Sequence, residues 1–195
     1  MKTVIIFDHP YTARASENIP HHRSFLAALL KRVTSTLIER GVQVDLIDLH
    51  ADHFNPTMTA QDLSHWRQGI PCNSQVADYQ QRIAAADQVI FMFPVWWELM
   101  PAMTKGFIDK VYAKNILYTA KNMKTKLNQP KIEVITTMTT PNWLYRIFFG
   151  SPLKKALFRG MFLKTRLIHF KWHNIAGLDQ KSSRQKERIL QSFSI

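Results

Sequence analysis

Three short segments gather most of the side chains and backbone groups that could do chemistry: "DHP" (8–10), "PVWWE" (94–98) and "TTMTTP" (136–141). Trp96 and Trp97 offer adjacent flat apolar rings, and the chain around them offers backbone N–H donors. A conjugated ring such as an isoalloxazine requires both. It needs apolar surface against its faces, and donors near N5 and the pyrimidine oxygens to stabilise charge gained on reduction. "TTMTTP" adds four threonine hydroxyls able to hold the polar edge of such a ring. "HHRSF" (21–25) supplies an anion site: Ser24 opens a helix whose first-turn amides and dipole favour negative charge, and His9 and Arg23 can add hydrogen bonds or charge.

Each signal also has a plainer explanation. The tryptophans can serve packing or a subunit contact, alternating threonines suit any strand, and Ser24 is accounted for as a helix cap. The sequence carries no Ser–His–Asp or Cys–His set, and His9, His21 and His22 lack metal-ligand spacing, so no metal is expected. Convergence is what favours a site, and convergence depends on the elements that carry the three segments.

Strand-like runs alternate with runs of helical period. The apolar or alternating runs are 3–7, 42–49, 88–95, 131–138 and 168–175, while 24–41, 76–87, 101–113 and 182–193 read as helices, with Pro101 in the first turn of the third. Such alternation implies an α/β fold with a parallel sheet covered on both faces. In open sheets of this kind a ligand sits beyond the carboxyl ends of the strands, at the switch point. "DHP", "PVWWE" and "TTMTTP" all follow strands and therefore meet at that edge.

At 195 residues, with no Gly/Ser linker or repeat, the chain is expected to form one domain, 1–195. A single cysteine, Cys72, excludes an internal disulfide, and no apolar run reaches membrane-spanning length, so a cytoplasmic location is expected. The charge is uneven: residues 1–100 hold 8 Lys/Arg and 10 Asp/Glu, whereas 101–195 hold 18 and 4, which sums to the net +12. Within 114–171, 12 Lys/Arg accompany one acid, Glu133, and "RIFFGSPLKKALFRGMFLKTRL" (146–167) mixes bulky apolar with basic residues. That segment suits a dimer-contact helix with solvated lysines, an anionic membrane surface or a membrane transporter. No nucleic-acid-binding signature accompanies the charge.

"HP…SF" after the first strand, "FMFPVWWELMPAMTKGFIDKV" (91–111) and the following "TT" resemble the flavodoxin-like NAD(P)H:quinone oxidoreductases, the DT-diaphorase-like or modulator-of-drug-activity-like flavoproteins. The resemblance covers nearly the whole chain, and 91–111 is its most specific part. It implies a doubly wound sandwich with a five-stranded parallel sheet in the order 2-1-3-4-5. It also implies a homodimer with FMN, or FAD, bound non-covalently, and ping-pong hydride transfer from NAD(P)H to a quinone-like acceptor. Carried onto this sequence, it puts His9, Ser24 and Phe25 at the phosphate and ribityl end. Pro94, Val95, Trp96 and Trp97 then lie along the ring, Thr136 and Thr137 at its other edge, and Tyr145 on the hydride-transfer side. The basic second half suits the extra phosphate of NADPH. Residues 11–23 lengthen the first loop beyond the family pattern, Met138 and Thr139 stand where glycines are usual, and Glu98 places a carboxylate beside the ring.

Overall fold

The computed structural model describes residues 1–17 and 24–195, so Arg23, His21 and His22 lie outside the described residues. Five strands, β1 (Lys2–Phe7), β2 (Gln43–Asp48), β3 (Gln88–Pro94), β4 (Lys131–Thr137) and β5 (Phe170–Ile175), form a parallel sheet in the order β2-β1-β3-β4-β5. β3 lies at the centre and is buried along its whole length, as its unbroken apolar run requires.

Strand alternation builds two cores. Ile5, Phe7, Ile90, Met92 and Ile135 point to one face, where they meet α1 (Phe25–Glu39) and α6 (Ser183–Ser192). Val4, Ile6, Val89, Phe91 and Val134 point to the other. That second face is covered by α3 (Ser74–Ala84), α4 (Ala102–Val111) and a π-helical segment, Lys154–Leu163. Two short helices, α2 (Ala60–Gln68) and α5 (Asn142–Ile147), complete the set. Every expected strand is present, with ends shifted by at most two residues. Pro101 caps α4 rather than sitting within its first turn, because its φ of −62° is followed by an extended ψ of 160°.

Close approach fixes α4. A Cβ on Gly106 would lie 2.3 Å from the Pro56 carbonyl oxygen, so the loop before α2 touches the helix backbone there. Buried Lys110 locks the contact, donating to the carbonyls of Asn55 and Thr57 and pairing with Asp62 at 3.1 Å.

Candidate active site

The site is built on the carboxyl ends of β1, β3 and β4, with the switch point between β1 and β3. Asp8, directly after β1 and 1% exposed, holds it together. Its Oδ2 accepts from the backbone N–H and the hydroxyl of Thr104, in the first turn of α4, at 2.8 and 2.5 Å, and its Oδ1 accepts from His50 Nε2 at 3.1 Å. A carboxylate at a helix N-terminus satisfies orphan amides and the dipole together. Asp48, at the end of β2, accepts from Ala13 and Ala51 N–H and so fastens the start of the long first loop, where buried Ala15 packs on α1. Neither aspartate stood among the predicted site residues. The available signal was an acidic residue ending each of two neighbouring strands.

His9 sits at the rim between the Phe7 and Tyr11 rings. Burial, opposed by the Asp8 charge, keeps its imidazole below the ordinary histidine value. Nδ1 accepts the Tyr11 N–H at 3.2 Å, so Nε2 carries the proton and His9 serves as a neutral donor rather than a fixed charge. Across the edge, Ser24 Oγ accepts from Ala27 N–H at 3.2 Å. The Phe25 and Leu26 amides have no acceptor among the described residues, so the first turn of α1 retains free donors.

Beyond Pro94, Val95 N–H still bonds Thr137 O at 2.8 Å, after which the chain turns back on itself. Trp96 and Leu99 exchange both backbone hydrogen bonds, at 3.0 and 3.1 Å, around Trp97 and Glu98. Both central residues have positive φ, 49° and 64°, in a tight turn that ordinarily takes Asn-Gly. A bulky residue held there is strained by an amount of order 1 kcal/mol or more. The turn leaves Trp97 98% exposed and Trp96 47%, and it keeps both indoles out of the core. The Trp97 and Glu98 amides bond no acceptor among the described residues.

Glu98 is the site's unusual group. Oε1 accepts from the Thr140 hydroxyl at 2.7 Å, while Oε2 is buried with no donor among the described residues. Tyr145, fully buried, supports the turn from behind. Its hydroxyl donates to the Glu98 carbonyl at 3.3 Å and accepts the Leu153 N–H at 2.9 Å, and burial pushes its pKa up to about 12. The structure therefore corrects the expectation for Tyr145. Its side chain lines no open surface, because both hydroxyl functions are engaged inside the fold.

Thr136 and Thr137 point to opposite faces of β4. Thr136 Oγ1 donates to Asn174 Oδ1 and accepts from Trp172 Nε1, both at 2.9 Å, so its hydroxyl ties β4 to β5. The Thr137 hydroxyl makes no side-chain hydrogen bond among the described residues and is the available donor of the pair. Met138 is 4% exposed, its N–H donates to the Ile175 carbonyl and its carbonyl accepts from the Leu178 N–H, so its backbone is engaged with the end of β5 and the chain beyond it. A separate cavity of about 420 Å³ lies between α2, the outer side of α4 and the π-helical segment. Met58, Trp66, Met100, Tyr112 and Met161 are among the residues that line it.

The edge thus offers an amide-lined helix start, paired indoles, two free turn amides and a free threonine hydroxyl. Among the described residues no three His, Cys, Asp or Glu side chains are grouped to hold a metal. This donor set fits a phosphorylated flat ring such as FMN, with the Glu98 carboxylate in the turn working against added negative charge.

The chain belongs to the family described by a flavodoxin-like fold, which it matches over residues 1–193. Among its relatives is an Escherichia coli protein called an uncharacterized NAD(P)H oxidoreductase, 33% identical over 100 residues that make up 51% of each chain. The chain spans about half the length of the relatives it matches. Solved structures that superpose on it include an NAD(P)H:quinone oxidoreductase from Methanothermobacter marburgensis, with a TM-score of 0.81 and 21% identity over 98% of this chain and 91% of that one. Another is an FMN-dependent NADH-azoreductase from Bacillus anthracis in complex with FMN, with a TM-score of 0.76 and 16% identity over 98% of this chain and 93% of that one. At such identities the likeness carries the fold.

Proposed function

We propose that the protein is a flavin-dependent NAD(P)H oxidoreductase acting on a quinone or similar small electrophilic acceptor, by a ping-pong sequence in which nicotinamide and acceptor use the same place in turn. The observation that carries this reading is the strained Trp97–Glu98 turn, which holds an exposed indole and two free amides at the carboxyl edge of the sheet. The names of the E. coli relative and of the two superposed structures agree with it. FMN, when bound, would take a hydride from the nicotinamide and hand it to the acceptor.

The residues have distinct tasks. The Phe25 and Leu26 amides, the α1 dipole and the His9 Nε2 proton would hold the phosphate, with Ser24 keeping the helix start in place. Pro94, Val95, Trp96 and Trp97 would lie along the ring and keep water from its face. The Trp97 and Glu98 amides, with the Thr137 hydroxyl, would donate to its polar edge. Thr136 sets the end of β4, and Tyr145 positions the turn through the Glu98 carbonyl. No nucleophile is required, since orientation and electrostatics are the protein's share.

The test is the visible spectrum of the purified chain mixed with FMN or FAD, followed by anaerobic NADPH or NADH. Binding shifts the flavin bands, and NAD(P)H bleaches them. Failure to bind either flavin would overturn the proposal.

A further inference from the structure

The segment from residue 134 to 178 contains seven Lys/Arg and no Asp or Glu. All seven are exposed, and none forms an ion pair among the described residues. Large apolar side chains stand out to solvent in the same segment. Trp143 and Ile147, one turn apart on α5, are 65% and 80% exposed, and Phe148 is 76% exposed. Phe148 and Phe149 pack edge to face at 5.0 Å, forming an aromatic tip. The tip is anchored: Phe148 and Phe149 N–H both bond Leu144 O, and Ser151 N–H bonds Tyr145 O at 3.0 Å. Cations flank it, since Lys155 Nζ lies only 3.0 Å from where a Gly150 side chain would begin, and Arg146 leaves α5 beside Ile147.

We propose that this face, with Phe148 and Phe149 as its tip and Arg146, Lys154, Lys155 and Arg159 around it, seats the protein peripherally on an anionic lipid bilayer. Exposed aromatic and aliphatic side chains with unpaired cations in the same segment match the chemistry of a bilayer interface: acyl boundary within, anionic headgroups around. No helix among the described residues is long and apolar enough to cross a membrane, so the contact is one of surface attachment. Charge also selects against the obvious competitor. A second copy docked on this face by a two-fold axis would set cations against cations, because such an axis applies the same patch to both partners.

The test uses the full chain with flavin present, floated with vesicles of phosphatidylcholine alone or mixed with phosphatidylglycerol, in low and high salt. Two double variants accompany it, Phe148→Ser/Phe149→Ser and Lys154→Glu/Lys155→Glu. All four positions are exposed and lie outside the proposed flavin contacts, so circular dichroism and flavin content report folding. The expected result is flotation with anionic vesicles only, suppressed at high salt, with each variant lowering the partition coefficient about tenfold or more. Absence of wild-type binding to anionic vesicles at low salt would overturn the proposal. So would unchanged binding by the serine variant, whether it signals plain polyanion attraction or accompanies a change of sedimentation coefficient that assigns the tip to a second copy.

Discussion

The two ends of the sheet treat polar groups in opposite ways. Toward the amino ends of β1, β3 and β4, Thr3 donates to Gln88 at 2.9 Å, Gln88 donates to buried Glu133 at 3.1 Å, and His173 and Lys131 pair with Glu133 at 2.8 and 2.7 Å. Those partners hold the Glu133 carboxyl down at about 2 even though burial alone would raise it. At the carboxyl edge, two residues without glycine's freedom hold positive φ, Glu98 Oε2 lacks a donor among the described residues and Trp97 faces solvent. Satisfied polar groups hold a fold together, whereas strain and unmet hydrogen bonds persist where the surrounding structure imposes them and a ligand can use them.

Breaking the amino-end network should have the largest effect. Glu133→Ala leaves His173 and Lys131 without their buried partner and should cost about 3–5 kcal/mol in urea denaturation. The flavin affinity of the folded fraction should not change; a loss of affinity matching the loss of stability would erase the contrast between the two ends.

Acid should reveal the same network. The folded pKa of Glu133 is about 2 against an ordinary 4.5, so its contribution is complete above about 4.5 and disappears as pH falls toward 2. At most about 3 kcal/mol is involved. His9 acts in the same direction over a milder range. Its folded value lies below the ordinary 6.5, so the unfolded chain takes up the proton first and stability falls as pH drops through that interval. Urea midpoints measured from neutral pH downward should decline in two stages, and Glu133→Gln should flatten only the lower one.

Tyr145 joins the turn to the interior. Tyr145→Phe removes the acceptor of the buried Leu153 N–H and the donor to Glu98, for an expected loss of about 1–3 kcal/mol. If Tyr145 positions rather than reacts, the flavin reduction rate at saturating NAD(P)H should change much less than the flavin dissociation constant.

The smallest effect on stability should have the opposite sign. Trp97→Asn/Glu98→Gly installs residues suited to positive φ and should stabilise the protein by about 1 kcal/mol, while FMN binding weakens about tenfold or more through loss of the indole. Calorimetry and flavin titration of one sample would give both numbers. A variant both less stable and equally tight would mean that the turn is neither strained nor in contact with flavin.

Much of this was legible along the chain. β-branched runs gave the strands, and Ser24 and Gly41 bounded α1, with Ser24 as N-cap and Gly41 at φ 72°. Other parts were hidden for identifiable reasons. α2 buries only Asp62, so it shows no apolar period; its one local signal is the Thr59–Asp62 capping-box spacing. The segment 154–163 buries Leu157, Phe158 and Phe162, a spacing compatible with a helix, but its π-helical winding has no local signature in the sequence. In the site, residue type suggested which strand ends converge. That Thr136 bonds Asn174, or that Tyr145 is enclosed by Leu153, depends on neighbours distant in sequence and without local signature.

The bare backbone of α4 at Gly106 has a consequence for sequence change. With Pro56 in contact there, positions 56 and 106 are not free to vary separately. A descendant that gains a methyl group at 106 must reroute the loop at 55–57, and Lys110 then loses the carbonyls that shelter its charge. Viable substitutions at these sites should therefore arrive as sets, with the loop changing first and the helix following.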